Sequence, residues 1–174
     1  IPSQMFNAID SVPLTAIAFF MLTGELMTSA TITDRLVALS RALIGRIRGG
    51  LAQVNVLVSM FFAGMNGSVV ADTATVGALV LPAMKKAGYP AAFSAAVTGV
   101  SSTIGGIIPP SIMMIVLANS TEISIAALFA AGIIPGVLIG IVIMIINHYF
   151  AIKYNFERSD EPFSIRRAGK ELYR

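Results

Sequence analysis

The 174 residues include no cysteine, no tryptophan and one histidine, and only 12% of them are charged. Without cysteine there is no disulfide framework, no thiolate metal site and no cysteine nucleophile, and the redox compartment stays undetermined. Soluble domains carry about 25% charged residues to cover a solvated surface. At half that share, with 56% hydrophobic residues and a mean hydropathy of +0.82, a soluble domain is all but excluded and a bilayer-embedded chain is expected. Between Arg48 and Lys85 the only charge is Asp72, and between Lys86 and Lys153 the only charge is Glu122. No Gly-rich phosphate loop is present, so ATP coupling by this chain has no support. The net charge of +3 does not point to nucleic acid, because the basic residues sit at the ends of apolar segments and so report topology. The chain opens at Ile1 and shows no short apolar run with a cleavage site, so a piece of a longer polypeptide without a signal peptide is expected.

The apolar segments can be measured against a bilayer. Val12 to Ala30 reaches roughly 28 Å and is expected to span, with Pro13 in its opening turn. Thr33 to Arg48 is amphipathic. Leu36, Val37, Leu39, Leu43, Ile44 and Ile47 share one arc, flanked by Arg35, Arg41, Arg46 and Arg48, which predicts a helix lying flat in the headgroup layer.

Leu51 to Met65 and Val69 to Met84 each reach only about 23 Å, short of a hydrocarbon core near 30 Å. Arg46 and Arg48 precede the first leg and Lys85 and Lys86 follow the second, which puts both ends on the cytoplasmic side. A re-entrant hairpin with its tip at Asn66-Gly67-Ser68 satisfies length and charge together, and that tip must be covered by protein or face water. Ala91 to Ala118 carries Gly105-Gly106 and Pro109-Pro110 at its middle. Glycines cost roughly 1 kcal/mol and prolines about 3 kcal/mol inside a helix, so the helix must break between Ser101 and Ser111. Ile125 to Phe150, about 39 Å long, is the clearest span. Running the chain from a cytoplasmic Lys85-Lys86 returns it to the Lys153 cluster on the same side.

The tip and the break bring small and hydroxyl-bearing residues into the membrane interior. Their backbone carbonyls, Ser and Thr hydroxyls and Asn amide oxygen are hard neutral ligands that suit an alkali cation. The half-helix N-termini after Ser68 and Ser111 favour a carboxylate. Discontinuous helices of this composition are expected at the binding site of a secondary transporter. The scattered glycines, including Gly132, Gly136 and Gly140, are read as packing devices. Asp72 is an ionisable group in a membrane segment and so a functional candidate. It can neutralise a cation, relay a proton or cap the second leg, and its spacing of four from Ser68 favours the cap. Glu25 is read as a partner for interfacial arginines or another subunit, and His148 as interfacial. A Ser68–His148 hydrolase would need long-range assembly and is disfavoured, so no enzyme is expected.

The run FFAGMNGSVVADTATVGALVLPAMKKAGYPAAFSAAVTGVSSTIGGIIPPSIMMIV, followed by ALFAAGIIPGVLIG, resembles the large membrane subunit of TRAP transporters, the tripartite ATP-independent periplasmic carriers. The likeness extends upstream through GELMTSATITDRLVALSRALIGRIRGGLAQVNVL. It implies a multi-pass protein of the bacterial inner membrane that imports an organic acid, such as a dicarboxylate or sialic acid, with Na⁺ as the coupling ion. The implied partners are a periplasmic substrate-binding protein, a small four-helix membrane subunit and the second half of the same subunit, an inverted repeat absent from this sequence.

The implied fold is all-α, half of an elevator-type carrier. Residues 1–48 would form a scaffold span and interfacial helix, 49–118 the transport hairpin and broken helix, 119–154 a further span and 155–174 a cytoplasmic tail. The resemblance places Na⁺ contacts at Asn66, Gly67, Ser68, Ser102, Thr103, Gly105 and Pro109, and the organic anion at Asn66, Ser68, Thr103 and Ser111. Asn66 stands where the family often has Ser, and Gly106 where Pro is common. Two other readings compete: a membrane interaction subunit that transports nothing, and a proton-coupled carrier using Asp72.

Overall fold

The computed structural model describes residues 12–29, 32–44 and 47–156. The expected tail, 155–174, lies outside the described residues beyond Phe156. Among the described residues, seven α-helices follow in order: α1 (Val12–Ser29), α2 (Ile32–Ile44), α3 (Gly50–Asn66), α4 (Val69–Lys86), α5 (Ala91–Ser102), α6 (Ile112–Thr121) and α7 (Ile125–Lys153). A single 3-10 turn, Thr103–Gly106, interrupts the stretch between α5 and α6, and no strand occurs among the described residues. The fold class is therefore all-α.

The hairpin legs form where the sequence places them. α3 ends at Asn66, Gly67 and Ser68 make the turn, and α4 starts at Val69. Gly67 closes α3 in the left-handed region at φ 61, its N–H donating to the Ala63 carbonyl, a cap that glycine adopts without steric penalty. Ser68 opens α4, its hydroxyl oxygen accepting from the Ala71 N–H. The second helix breaks after Ser102, passes through the 3-10 turn, and resumes at Ile112 behind the N-cap Ser111. Gly105-Gly106 and Pro109-Pro110 occupy the non-α-helical stretch, as their helix penalties dictate.

α3 is the central element. It packs against α1, α2, α4, α5, the 3-10 turn and α7. Val54, Val56, Val58 and Phe62 of α3 join Val76, Val80 and Met84 of α4, Val97 of α5, Ile104 and Ile143 in one buried cluster. Gln53 donates across to the Met144 carbonyl at 2.8 Å and ties α3 to α7. The amphipathic α2 does not present its whole apolar arc outward, because Leu36, Val37 and Ile44 pack against the core beside α3.

α7 is the one helix among the described residues long and apolar enough to cross a membrane by itself. Its 29 residues span about 43 Å, and much of its apolar surface, including Ile134, Leu138 and Ile145, faces outward. α3 and α6 are apolar but short, and α1 carries a shorter apolar stretch, Ile17–Leu26. The glycines of α7 face inward. A Cβ on Gly132 would stand 2.6 Å from the Ile107 carbonyl oxygen, one on Gly136 2.5 Å from Ile108, and one on Gly140 2.5 Å from the Met60 sulfur. Small residues at four-residue spacing thus let α7 close onto the break and onto α3.

Candidate ion and ligand site

Hairpin tip and helix break meet. The Ile112 N–H donates to the Gly67 carbonyl at 3.3 Å, one main-chain bond joining the tip to the resumption of the broken helix. Gly67 lies directly against the Pro110 carbonyl oxygen, and a Cβ there would also reach within 3.0 Å of Ser111 Cα. Gly105 packs on the Ser68 carbonyl group, and Gly64 faces the Pro109 carbonyl oxygen. Glycine at 67 is thus required twice, by its φ and by this approach. Asn66, Gly67, Ser68, Gly105, Pro109 and Ser111 therefore share one locus.

Within that locus the polar atoms are partly spent. The Asn66 amide oxygen accepts from the Ser68 N–H at 3.0 Å, which fixes the amide orientation and leaves its nitrogen without an acceptor among the described residues. The Ser111 hydroxyl donates to the Gly106 carbonyl at 2.9 Å and accepts from the Met114 N–H. Thr103 is exposed, its hydroxyl donating back to the Val100 carbonyl at 2.7 Å. Ser102 is fully buried, its hydroxyl donating to the Thr98 carbonyl at 2.8 Å, so its side chain turns into the helix packing.

Beneath the tip lies a second polar region, a seam between α3, α4 and α5. Asn55 donates to the Thr98 hydroxyl at 2.7 Å. Ser59 donates to Ser101 at 3.2 Å, and Ser101 donates to the Asn55 amide oxygen at 3.3 Å. All are buried. Asp72 sits at this seam with Ser59 and Ser102 beside its carboxyl group. It is 0% exposed, and neither carboxyl oxygen has a hydrogen-bond partner. The cap expected of Asp72 is made by Ser68 instead, because the serine oxygen already takes the Ala71 N–H and the aspartate is turned inward. α3, α5 and the 3-10 turn, which pack on α4, contain no charged residue.

Sequence reasoning missed Asn55, Ser59 and Thr98. Their signal was available as polar residues recurring on otherwise apolar helices, Asn55 and Ser59 four apart on α3 and Ser94, Thr98 and Ser102 four apart on α5. Glu25, expected to partner interfacial arginines or another subunit, lines a cavity of about 130 Å³ at the hairpin tip. α1 reaches the tip because Gly24 has no side chain; a Cβ there would stand 2.7 Å from Asn66 Cβ.

The family model for the tripartite ATP-independent periplasmic transporter, DctM component, matches residues 1–173. The C4-dicarboxylate TRAP transporter large permease protein DctM of Pseudomonas aeruginosa is 41% identical over 148 residues, 85% of this chain and 35% of that protein. The sialic acid TRAP transporter large permease protein SiaM of Vibrio cholerae is 39% identical over 88% of this chain and 36% of its own length. The 2,3-diketo-L-gulonate TRAP transporter large permease protein YiaN of Escherichia coli is 41% identical over 90% of this chain and 37% of its own length. The matched region thus spans little more than a third of each of these relatives, and the chain belongs to the DctM component family of tripartite ATP-independent periplasmic transporters.

Proposed function

We propose that this chain forms part of a large permease subunit that imports an organic acid by Na⁺ symport across a bacterial inner membrane. The observation that carries the reading is Asp72, a carboxyl group wholly buried, with only the Ser59 and Ser102 hydroxyls beside it and without a countercharge on the helices packed against it. An ionised carboxylate so placed costs several kcal/mol. A monovalent cation entering with the substrate offsets that cost, which couples cation and anion binding reciprocally. The tip and break supply hard oxygens above it, among them the carbonyls of Gly67, Pro109 and Pro110. In this reading Na⁺ is held around Asn66, Gly67, Ser68, Ser102, Thr103, Gly105 and Pro109.

The anion is assigned to the α4 and α6 N-termini, at Asn66, Ser68, Thr103 and Ser111. The three relatives above are named for a dicarboxylate, sialic acid and 2,3-diketo-L-gulonate, all organic acids. A periplasmic binding protein delivers the acid, a small four-helix membrane subunit buttresses the permease, and the second half of the subunit completes the site. Because tip and break are bonded to each other, they move together in an elevator-type step.

The test is uptake by the full-length subunit with its partners in proteoliposomes under an imposed sodium gradient. Succinate, N-acetylneuraminate and 2,3-diketo-L-gulonate are the panel. Sodium-dependent uptake of at least one acid is expected, with Asp72→Asn lowering it by about 100-fold or more, equivalent to about 2.7 kcal/mol, while membrane insertion is retained. Ser68→Ala and Thr103→Ala should weaken sodium dependence more than insertion. A membrane interaction subunit without transport predicts no uptake at all.

Proton coupling through Asp72 is the second reading, favoured by one detail. The Ser59 and Ser102 hydroxyl protons are directed to Ser101 and to the Thr98 carbonyl, so a protonated Asp72 can donate to their free lone pairs. It predicts uptake driven by a proton gradient with sodium absent.

A further inference from the structure

The cavity at the hairpin tip is walled by residues of the hairpin and of α1 and α6, which lie far from it in sequence. Gly24 and Glu25 come from α1, Asn66 and Ser68 from the tip, Thr75 from α4 and Ile112 from the start of α6. Asn66 is 7% exposed, and its amide nitrogen donates to no group among the described residues. The Ser68 hydroxyl accepts from Ala71 and keeps its proton to give. The Thr75 hydroxyl is likewise uncommitted among the described residues. Three unspent donors and the first turn of α4 therefore face one small space, a neutral donor set that favours an anion. The one charged group on the wall is the Glu25 carboxylate, and among the described residues no cation pairs with it.

We propose that Glu25 is a tethered anion at the wall of the hairpin-tip cavity, where it competes with the carboxylate of an arriving organic acid for the unspent donors. The contact of Gly24 with Asn66 sets α1 close enough to deliver it. The proposal rests on the reading of the tip as an organic-anion site. It makes α1 a gate whose carboxylate competes with the ligand, so that an acid with a well-placed carboxylate is needed to open it.

The test is binding of succinate, N-acetylneuraminate and 2,3-diketo-L-gulonate to the purified full-length permease with its membrane partner, by thermal shift in saturating sodium. Glu25→Gln keeps the shape and removes the charge. It should bind at least one of the acids roughly three- to ten-fold more tightly than the unmodified protein. Adding Thr75→Val, which removes one donor, should return part of that gain.

A second measurement needs no ligand. In a cysteine-free full-length background, Glu25→Cys should react with an anionic methanethiosulfonate in preference to a cationic one, relative to an exposed control cysteine at Val70. No gain for any acid in Glu25→Gln, or preference of the cysteine for the cationic reagent, overturns the proposal. Sodium-driven uptake by the unmodified protein separates the two failures. Uptake without the gain overturns only the gate; absent uptake overturns the transport reading as well.

Discussion

α3 and α7 are both strongly apolar and carry almost no charge, yet they are built in opposite senses. α3 buries eleven of its 17 residues, among them Gln53, Asn55, Ser59 and Asn66, and holds its polar groups inside. α7 buries six of 29, chiefly glycines, an alanine and Asn147, and turns isoleucine, leucine and valine outward. In water the second arrangement would be an error. In a bilayer it is the expected one, because lipid is as apolar as leucine and association relies on close backbone approach and on satisfied polar groups. Both helices are apolar on average, α7 the more so; what sets them apart in kind is the direction in which the small and polar residues point.

The contrast can be broken most sharply by truncation. Phe62→Ala in the fully buried centre of α3 should cost about 3–5 kcal/mol. Ile134→Ala on α7, 75% exposed, should stay within about 0.5 kcal/mol. Reversible unfolding of the full-length subunit in one detergent measures both, and similar losses at the two sites would remove the distinction.

A smaller effect is expected along the inner face of α7. Gly132→Val drives into the Ile107 carbonyl, which is main chain and cannot swing away, and should cost about 1–3 kcal/mol. Gly140→Ala meets only the flexible end of Met60, so its cost should be under about 1 kcal/mol. If the order were reversed, α7 would not rest on the break as described.

The seam gives the next effect. Asn55→Ala leaves Thr98 and Ser101 short of a partner and should cost about 1–3 kcal/mol. A cycle with Thr98→Val should show the two losses to be less than additive. Ser68→Ala, which removes the α4 cap, should cost about 1 kcal/mol. Its effect on sodium dependence should exceed its effect on stability.

Much of this arrangement was legible in the residues. Two legs too short to cross, basic residues at their outer ends and a Gly-Ser turn define the hairpin; paired glycines and paired prolines leave the second helix no option but to break. These are local penalties, and local penalties can be read from one sequence. What surrounds Asp72 cannot, because Ser59 and Ser102 reach it only after α3 and α5 pack on α4. The same holds for Glu25, which meets the tip only through the Gly24 contact. For α2 the apolar arc was visible, but amphipathicity does not say what covers it, and here protein takes a share that the sequence assigned to lipid.

The glycine face of α7 carries a mechanical consequence. A helix seated on the Ile107 carbonyl and on Ile108 through bare backbone has no cushion of side chains across which to glide. Motion of the broken loop relative to its surroundings must therefore drag α7 along as ballast.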